Sequence, residues 1–155
     1  MKRMSSGPSV RRSLSAGGVV YRWRNGLTEV IICGHRGDRI WALPKGTPRQ
    51  GERLDGTAQR EVEEETGLEV EIIDKIGYVQ YWFEENSVRY FKTVYYYLMK
   101  PTGGDLSAHD HEFDEVRWCE ISEAMDVLTY KNDVDIVCGA GEIIQLLKHE
   151  SGGDI

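Results

Sequence analysis

The stretch GTPRQGERLDGTAQREVEEETGL, residues 46–68, decides how the rest of the chain is interpreted. Its first part holds two glycines and a proline and has no hydrophobic period, which is typical of a loop. Residues 55–66 then favour a helix, and Gly67 stands where a glycine commonly ends one. The stretch therefore predicts a loop, a short helix and a second loop.

The predicted helix carries three glutamates on one face, since Glu64 and Glu65 follow Glu61 by three and four positions. Like charges at this spacing each cost about 0.2–0.5 kcal/mol, and these lie near the negative end of the helix dipole. A divalent cation would reverse both penalties, because carboxylate oxygens are ligands that Mg2+ and Mn2+ prefer. The alternative is a solvated acidic surface, which suits Glu63, because it points away from the other three.

The same stretch resembles the Nudix box: a glycine, five residues, a glutamate, seven residues, and then R-E-U-x-E-E-x-G-U, where U is aliphatic. Every fixed position is matched, by Gly46, Glu52, Arg60, Glu61, Val62, Glu64, Glu65, Gly67 and Leu68. So many fixed positions are rarely matched by chance, which makes the signal specific, unlike a lone glycine-rich loop.

The resemblance implies a site for Mg2+, with Mn2+ as an alternative, in which water attacks a phosphorus atom. The metal would polarise the phosphoryl group and lower the pKa of the attacking water. Glu52 and Arg60 match the pair that orients the loop and the helix. The implied metal ligands are the backbone carbonyl of Gly46 and the carboxylates of Glu61, Glu64 and Glu65. Glu61 and Glu64 are also candidate catalytic residues, since the general base differs across the family.

A carboxylate outside the motif is a second candidate for that base. The run HDHEFDEVRW places Glu112 six positions before Trp118, which resembles the placement of a catalytic or metal-binding glutamate in dinucleoside polyphosphate hydrolases of the family. Glu115 is a weaker candidate, and a merely acidic loop remains the alternative. His109 and His111 precede it and are more often solvent histidines than ligands.

Two lysines are candidate phosphate contacts. Lys45 lies in WALPKGTPRQGE, which resembles hydrolases of diadenosine and diphosphoinositol polyphosphates, and its alternative role is a solvated loop lysine. The strand KTVYYYLM resembles one in diadenosine tetraphosphate hydrolases, with Lys92 as the phosphate-binding lysine and Tyr96 beside it. Alternation along a strand puts both on one face, although a packed sheet face explains the tyrosines equally well. The aromatic residues that could hold a base stay open among Tyr81, Trp82, Phe83 and Tyr90.

The remaining pattern predicts an α/β fold with a mixed β-sheet between helices, as in Nudix proteins. Strands are expected at residues 13–21, 29–33, 40–43, 68–82, 87–99 and 115–119, and helices at 55–66, 121–128 and 133–149. Residues 44–54 are expected to form a loop, and Gly139 and Gly141 weaken the case for the first half of the last helix. The domain is expected to span residues 12–149, with flexible tails at 1–11 and 150–155.

The composition restricts the kinds of partner and the cellular setting that we expect. The net charge of −7 argues against a nucleic-acid polymer, whose binding needs a basic face. No apolar window is long enough to span a membrane. Cys33, Cys119 and Cys138 show no metal-ligand spacing, and free thiols favour a cytoplasmic setting. The oligomeric state stays open, with a homodimer as one alternative.

The expected function is metal-dependent hydrolysis of a phosphoanhydride bond in a nucleoside diphosphate-linked small molecule, with a diadenosine polyphosphate as first choice. The alternative substrates are ADP-ribose, nucleotide sugars and oxidised nucleoside triphosphates. A non-catalytic Nudix-fold nucleotide sensor is a further alternative, which the complete set of box glutamates disfavours.

Overall fold

The structure is a computed structural model that describes residues 9–150. Its strands are β1 (Ser9–Arg24), β2 (Leu27–His35), β3 (Ile40–Ala42), β4 (Lys45–Gly46), β5 (Leu68–Glu85), β6 (Val88–Gly104) and β7 (Glu115–Glu120). Its helices are α1 (Leu54–Thr66), α2 (Ile121–Val127) and α3 (Lys131–Glu150). Residues 9–11 belong to β1 rather than to the expected tail, because they pair with β6. The expected tails at residues 1–8 and 151–155 lie outside the described residues, and Glu150 ends α3.

The strands form a mixed sheet in the order β3-β2-β1-β6-β5, with β4 paired to β1 and β7 paired to β2. β1 and β6 run parallel, whereas the other pairs are antiparallel. Helix α1 covers one face, where Ala58 and Val62 pack with Val20 and Met99. Helices α2 and α3 cover the other face and bury the larger core. The expected α/β architecture with a mixed sheet between helices is confirmed.

The segment after Pro44 is partly a strand, where the sequence predicted only a loop. Lys45 and Gly46 pair with β1 opposite Gly17 and Ala16, and the Gly18 amide donates to the Pro44 carbonyl at 3.2 Å. A Cβ atom at Gly17 would lie 2.1 Å from that carbonyl oxygen. The glycine therefore permits the close backbone approach, which holds the start of the acidic motif against the sheet.

The hairpin of β5 and β6 is longer than predicted, since both strands remain paired as far as Glu85 and Val88. Asn86 and Ser87 turn the chain with φ values of 52° and 65°, as a two-residue hairpin turn requires. The outer part of this hairpin also pairs with residues 9–14 of β1, so three strands lie side by side there.

Helix α3 is continuous through Gly139 and Gly141 and begins two residues earlier than predicted. A Cβ atom at these glycines would lie 3.4 Å from Ile76 and 3.3 Å from Ile121 respectively. Both glycines let neighbouring elements pack closely, which explains their place in a helix. No helix within residues 9–150 is long and apolar enough to cross a membrane.

Candidate active site

Glu52 and Arg60 tie the motif's first loop to α1. Arg60 donates from Nε and Nη2 to the two carboxylate oxygens of Glu52 at 2.8 and 2.9 Å. Glu52 also accepts from the Arg49 amide and the Thr57 hydroxyl, and Arg60 donates to the Thr47 carbonyl. The hydrogen-bonded guanidinium holds the pKa of Glu52 well below its usual range, and Glu52 raises the pKa of Arg60. This charge-compensated pair is consistent with the orienting role that the resemblance implies.

Glu61 lies directly against Gly46. A Cβ atom at position 46 would be 2.0 Å from the Glu61 carboxyl carbon, so any side chain there would displace the carboxylate. Arg60 Nη1 donates to Glu61 Oε2 at 3.1 Å. The backbone of β4 and the Glu61 carboxylate are thereby brought together, as the expected pairing of a carbonyl and a carboxylate requires.

Glu65 is the buried carboxylate of the cluster, with only 4% of its surface exposed. Its Oε1 accepts from the Lys45 amide at 3.2 Å. The pKa of Glu65 is raised, mainly by burial and to a smaller extent by the neighbouring charge of Glu61. A buried carboxylate beside another carboxylate lacks positive charge, which a divalent cation would supply. In its donor chemistry the site therefore fits the expected metal.

Glu64 stands apart from the other two glutamates. Its side chain is 43% exposed and lies 3.4 Å from Arg60 Nη1 and 3.7 Å from Arg49 Nη2. Across residues 9–150, no three acidic, histidine or cysteine side chains are gathered as a ready metal cluster. Glu61 and Glu65 are thus neighbouring carboxylates, whereas the Glu64 carboxylate lies beside Arg49 and Arg60. Glu63 hydrogen-bonds the Val70 amide instead of only facing solvent.

The loop between β6 and β7 is anchored to the end of α1. Gly67, at φ 79°, accepts from the Asp105 amide, and the Glu64 carbonyl accepts from the Asp110 amide. The Asp110 carboxylate then accepts from the Glu112 amide at 3.0 Å. These contacts bring Glu112 near Glu65, close enough for its charge to contribute to the raised pKa of Glu65.

The motif opens onto a cavity of about 710 Å3. Its charged lining includes Lys45, Glu65, Glu112 and Asp133, and its aromatic lining includes His35, Tyr81, Tyr96, Phe113 and Tyr130. The His35 and Phe113 rings lie 4.7 Å apart. A cavity of this size with convergent charged groups is large enough for a nucleotide.

Asp133 is a residue of this cavity that sequence reasoning did not identify. It is 7% exposed, accepts from the Leu43 amide at 3.3 Å, and accepts from the Tyr96 hydroxyl at 3.4 Å. Burial raises its pKa to about 6. An acid in the first turn of a helix is ordinary, so its sequence position offered no distinguishing signal. Tyr96 is 2% exposed, which puts it inside the cavity wall with its hydroxyl directed at Asp133.

The other predicted residues lie on the cavity face of the sheet, in a second cavity, or outside both cavities. Lys92 is half-buried on the face of the sheet that bears the cavity, and burial and the charge of Lys45 lower its pKa. Glu115 lines a smaller cavity of about 320 Å3 with Arg36, Arg39 and Trp41. His109 and His111 are not among the residues that line either cavity.

A model of the NUDIX domain matches residues 12–137. Over 142 residues the chain is 37% identical to a Mycobacterium tuberculosis protein named "Putative mutator protein MutT4", covering 88% of this chain and 57% of that protein. It is 40% identical over 93 residues to the 8-oxo-(d)GTP phosphatase of Mycolicibacterium smegmatis, covering 60% of this chain and 27% of that protein. The chain therefore spans about half or less of the length of these two curated relatives.

Among solved structures, an Ap4A hydrolase of C. elegans in a binary complex superposes with a TM-score of 0.68. The match covers 85% of this chain and 97% of that chain at 24% sequence identity. At this level of identity, the likeness shows a shared fold.

Proposed function

Because this chain belongs to the NUDIX domain family, we propose that its cavity is the active site of a phosphoanhydride hydrolase. The substrate would be a small molecule containing a nucleoside diphosphate, and a dinucleoside polyphosphate is our first choice. A divalent metal, Mg2+ in the first instance, would be held by Glu61, Glu64, Glu65 and the Gly46 carbonyl.

One observation carries this proposal: Lys45, Glu65 and Glu112 line the same cavity although they come from three separate elements. A lysine beside carboxylates suits a polyphosphate that arrives with a cation, since each acidic group has a positive partner in the complex. If the acidic helix face were only a solvated surface, there would be no reason for a lysine and a glutamate from other elements to line a cavity with it.

The chain's own residues have distinct roles in the proposed reaction. Lys45 and Lys92 bind the negative phosphate oxygens and orient the chain of phosphates. The attacking water gives its proton to a carboxylate, for which Glu112 is our candidate. The water oxygen bonds to phosphorus as the anhydride bond breaks, and the leaving phosphate departs as an anion. When bound, the metal polarises the phosphoryl group and lowers the pKa of water.

Three features support a dinucleoside polyphosphate. The cavity joins charged groups to aromatic side chains, as binding a base beside phosphates requires. Lys45 and Lys92 provide two positive charges for a long phosphate chain. The fold is also that of a protein named as an Ap4A hydrolase, although this likeness concerns the fold alone.

A second candidate is hydrolysis of oxidised nucleoside triphosphates. Its support is the 8-oxo-(d)GTP phosphatase that is 40% identical over 60% of this chain. The acidic motif handles the phosphates in both reactions, so the candidates differ in what the rest of the cavity accepts. ADP-ribose and nucleotide sugars remain alternatives for the same reason.

The test is hydrolysis of diadenosine tetraphosphate and 8-oxo-dGTP, each with and without Mg2+, with the products separated by chromatography. ATP plus AMP, formed only with metal, would support the first candidate. Turnover confined to 8-oxo-dGTP would support the second. If neither compound, nor ADP-ribose or a nucleotide sugar, is hydrolysed with Mg2+, the proposed hydrolase is wrong and a nucleotide sensor becomes the better interpretation.

A further inference from the structure

The face of the sheet that bears the cavity continues outward along the hairpin of β5 and β6. Tyr81 lines the cavity, and Phe83 follows it by two positions on the same face of β5. In the neighbouring strand, Lys92 is paired with Tyr81, and Tyr90 is paired with Phe83. On the far side of β6, Arg11 of β1 is paired with Tyr90. We call these five residues the outer row.

The aromatic members of the outer row are in contact with one another. The ring centroids of Tyr81 and Phe83 lie 6.3 Å apart. Those of Phe83 and Tyr90 lie 4.8 Å apart with nearly parallel planes, at an angle of 13°. Phe83 and Tyr90 are half-buried, so part of each ring remains exposed beyond the cavity. A planar group leaving the cavity would meet a continuous aromatic surface.

The row also carries positive charge. Lys92 lies between the cavity and the Phe83–Tyr90 pair, and it is close enough to Lys45 for the charge of Lys45 to lower its pKa. Arg11 is exposed at the outer end beside Tyr90. Aromatic rings interleaved with basic side chains form the surface on which proteins stack nucleobases.

The row ends at an acidic residue. Glu85 follows Phe83 by two positions on the same face and is exposed. A nucleic-acid strand that continued past Tyr90 would bring its phosphates to this carboxylate, and the chain as a whole carries a net charge of −7. The surface therefore suits a ligand that finishes there with one uncharged nucleoside.

We propose that Phe83 and Tyr90 stack the second base of a dinucleoside polyphosphate, while Lys92 and Arg11 hold the phosphates and ribose that lead to it. This inference rests on the proposed function, since it takes the reacting phosphates to lie in the cavity. Phe83 and Tyr90 thus become specificity-determining residues, which favour a dinucleoside over a nucleoside triphosphate.

The opposite face of the same hairpin provides a matched control. Trp82 and Phe91 form a ring pair at 4.9 Å, at the same distance along the strands but on the side of α1. Removing a ring from either face should have a similar effect on the hairpin itself. Only the Phe83–Tyr90 side can affect a ligand that leaves the cavity.

The experiment compares Phe83→Ala, Tyr90→Ala and the control Trp82→Ala by the KM for diadenosine tetraphosphate. The Kd values for diadenosine tetraphosphate, ATP and a 5′-triphosphorylated RNA tetranucleotide are measured by calorimetry with Mg2+, with Glu112→Gln added to slow turnover. Phe83→Ala and Tyr90→Ala should each raise the Kd for diadenosine tetraphosphate about tenfold, while the Kd for ATP changes less than about twofold. Trp82→Ala should leave the ratio of the two affinities unchanged.

Equal weakening of both ligands, or equal effects of Trp82→Ala, would overturn the inference, because the rings would then only maintain the hairpin. A loss of affinity confined to the triphosphorylated RNA would also overturn the inference, because the rings would then bind the end of a nucleic-acid strand. The Kd comparison remains decisive if wild-type protein fails to hydrolyse diadenosine tetraphosphate, so failure of the proposed function is seen separately.

Discussion

Helix α1 places two kinds of acidic group side by side. At Glu52 and Arg60 every charge is compensated, with two short hydrogen bonds between the pair. One turn away, Glu65 is buried with Glu61 as its neighbour, and its pKa rises. The first region supports the fold without a ligand, whereas in the second region burial and the charge of Glu61 oppose the ionisation of Glu65. Acidic residues that a folded protein leaves uncompensated are therefore the better guide to its chemistry.

The largest effect is expected for Glu65→Gln, which removes a carboxylate ligand of the proposed metal with little change in shape. Hydrolysis should fall by more than about a hundredfold, since losing even an outer partner of a metal site costs 10–100-fold. The Tm without metal should change little, because the raised pKa of Glu65 keeps the wild-type side chain largely protonated at neutral pH. Steady-state kinetics and thermal unfolding measure both. Full activity at saturating Mg2+ would remove Glu65 from the metal site.

Glu112→Gln should lower kcat by about a hundredfold if Glu112 takes the proton from water, with little change in KM. Glu115→Gln is the matched control, since Glu115 lies three residues away and lines the other cavity. Equal losses in the two variants would contradict the assignment and indicate only a general effect of acidity in this loop.

Glu52→Gln tests the compensated region. The Tm should drop by about 5 °C or more, because the hydrogen bonds from Arg60 lose their charged acceptor. The difference in Tm between the variant and the wild type should also disappear in acid. Because the pKa of Glu52 is lowered in the fold, its contribution to the stability of the wild type is present above about pH 4.5 and is lost as the pH falls further. Glu71→Gln, on an exposed position of β5, is the control. An unchanged Tm would show that the pair orients the loop without stabilising the fold.

The smallest effect is expected for Asp133→Asn. The pKa of Asp133 is about 6 in the fold and 3.8 as the ordinary value, so the unfolded chain ionises first as pH rises. Wild-type stability should therefore fall modestly as pH rises from about 4 to about 6. The Asn variant should lack this part of the slope in urea unfolding measured across that range. Parallel slopes would place the titration elsewhere.

The local part of the site was predictable, whereas the cavity was not. Residues 46–68 contain the loop, the helix, its terminal glycine and the acidic face, because helix spacing alone brings Glu61, Glu64 and Glu65 to one side. Glu64 still turned toward Arg49, a contact that spacing cannot specify. The two-residue strand β4 escaped prediction because its partner lies almost thirty residues earlier, at Ala16 and Gly17.

Sequence by itself determined the chemistry of the motif: which side chains are acidic, how they repeat along a helix, and which cation they would attract. Only the tertiary structure decided what surrounds them. Glu112 reaches Glu65 because backbone hydrogen bonds tie its loop to the end of α1. Asp133 reaches the cavity by accepting from Leu43, ninety residues away. Such contacts depend on the packing of distant elements, and that packing leaves no periodic trace in the sequence.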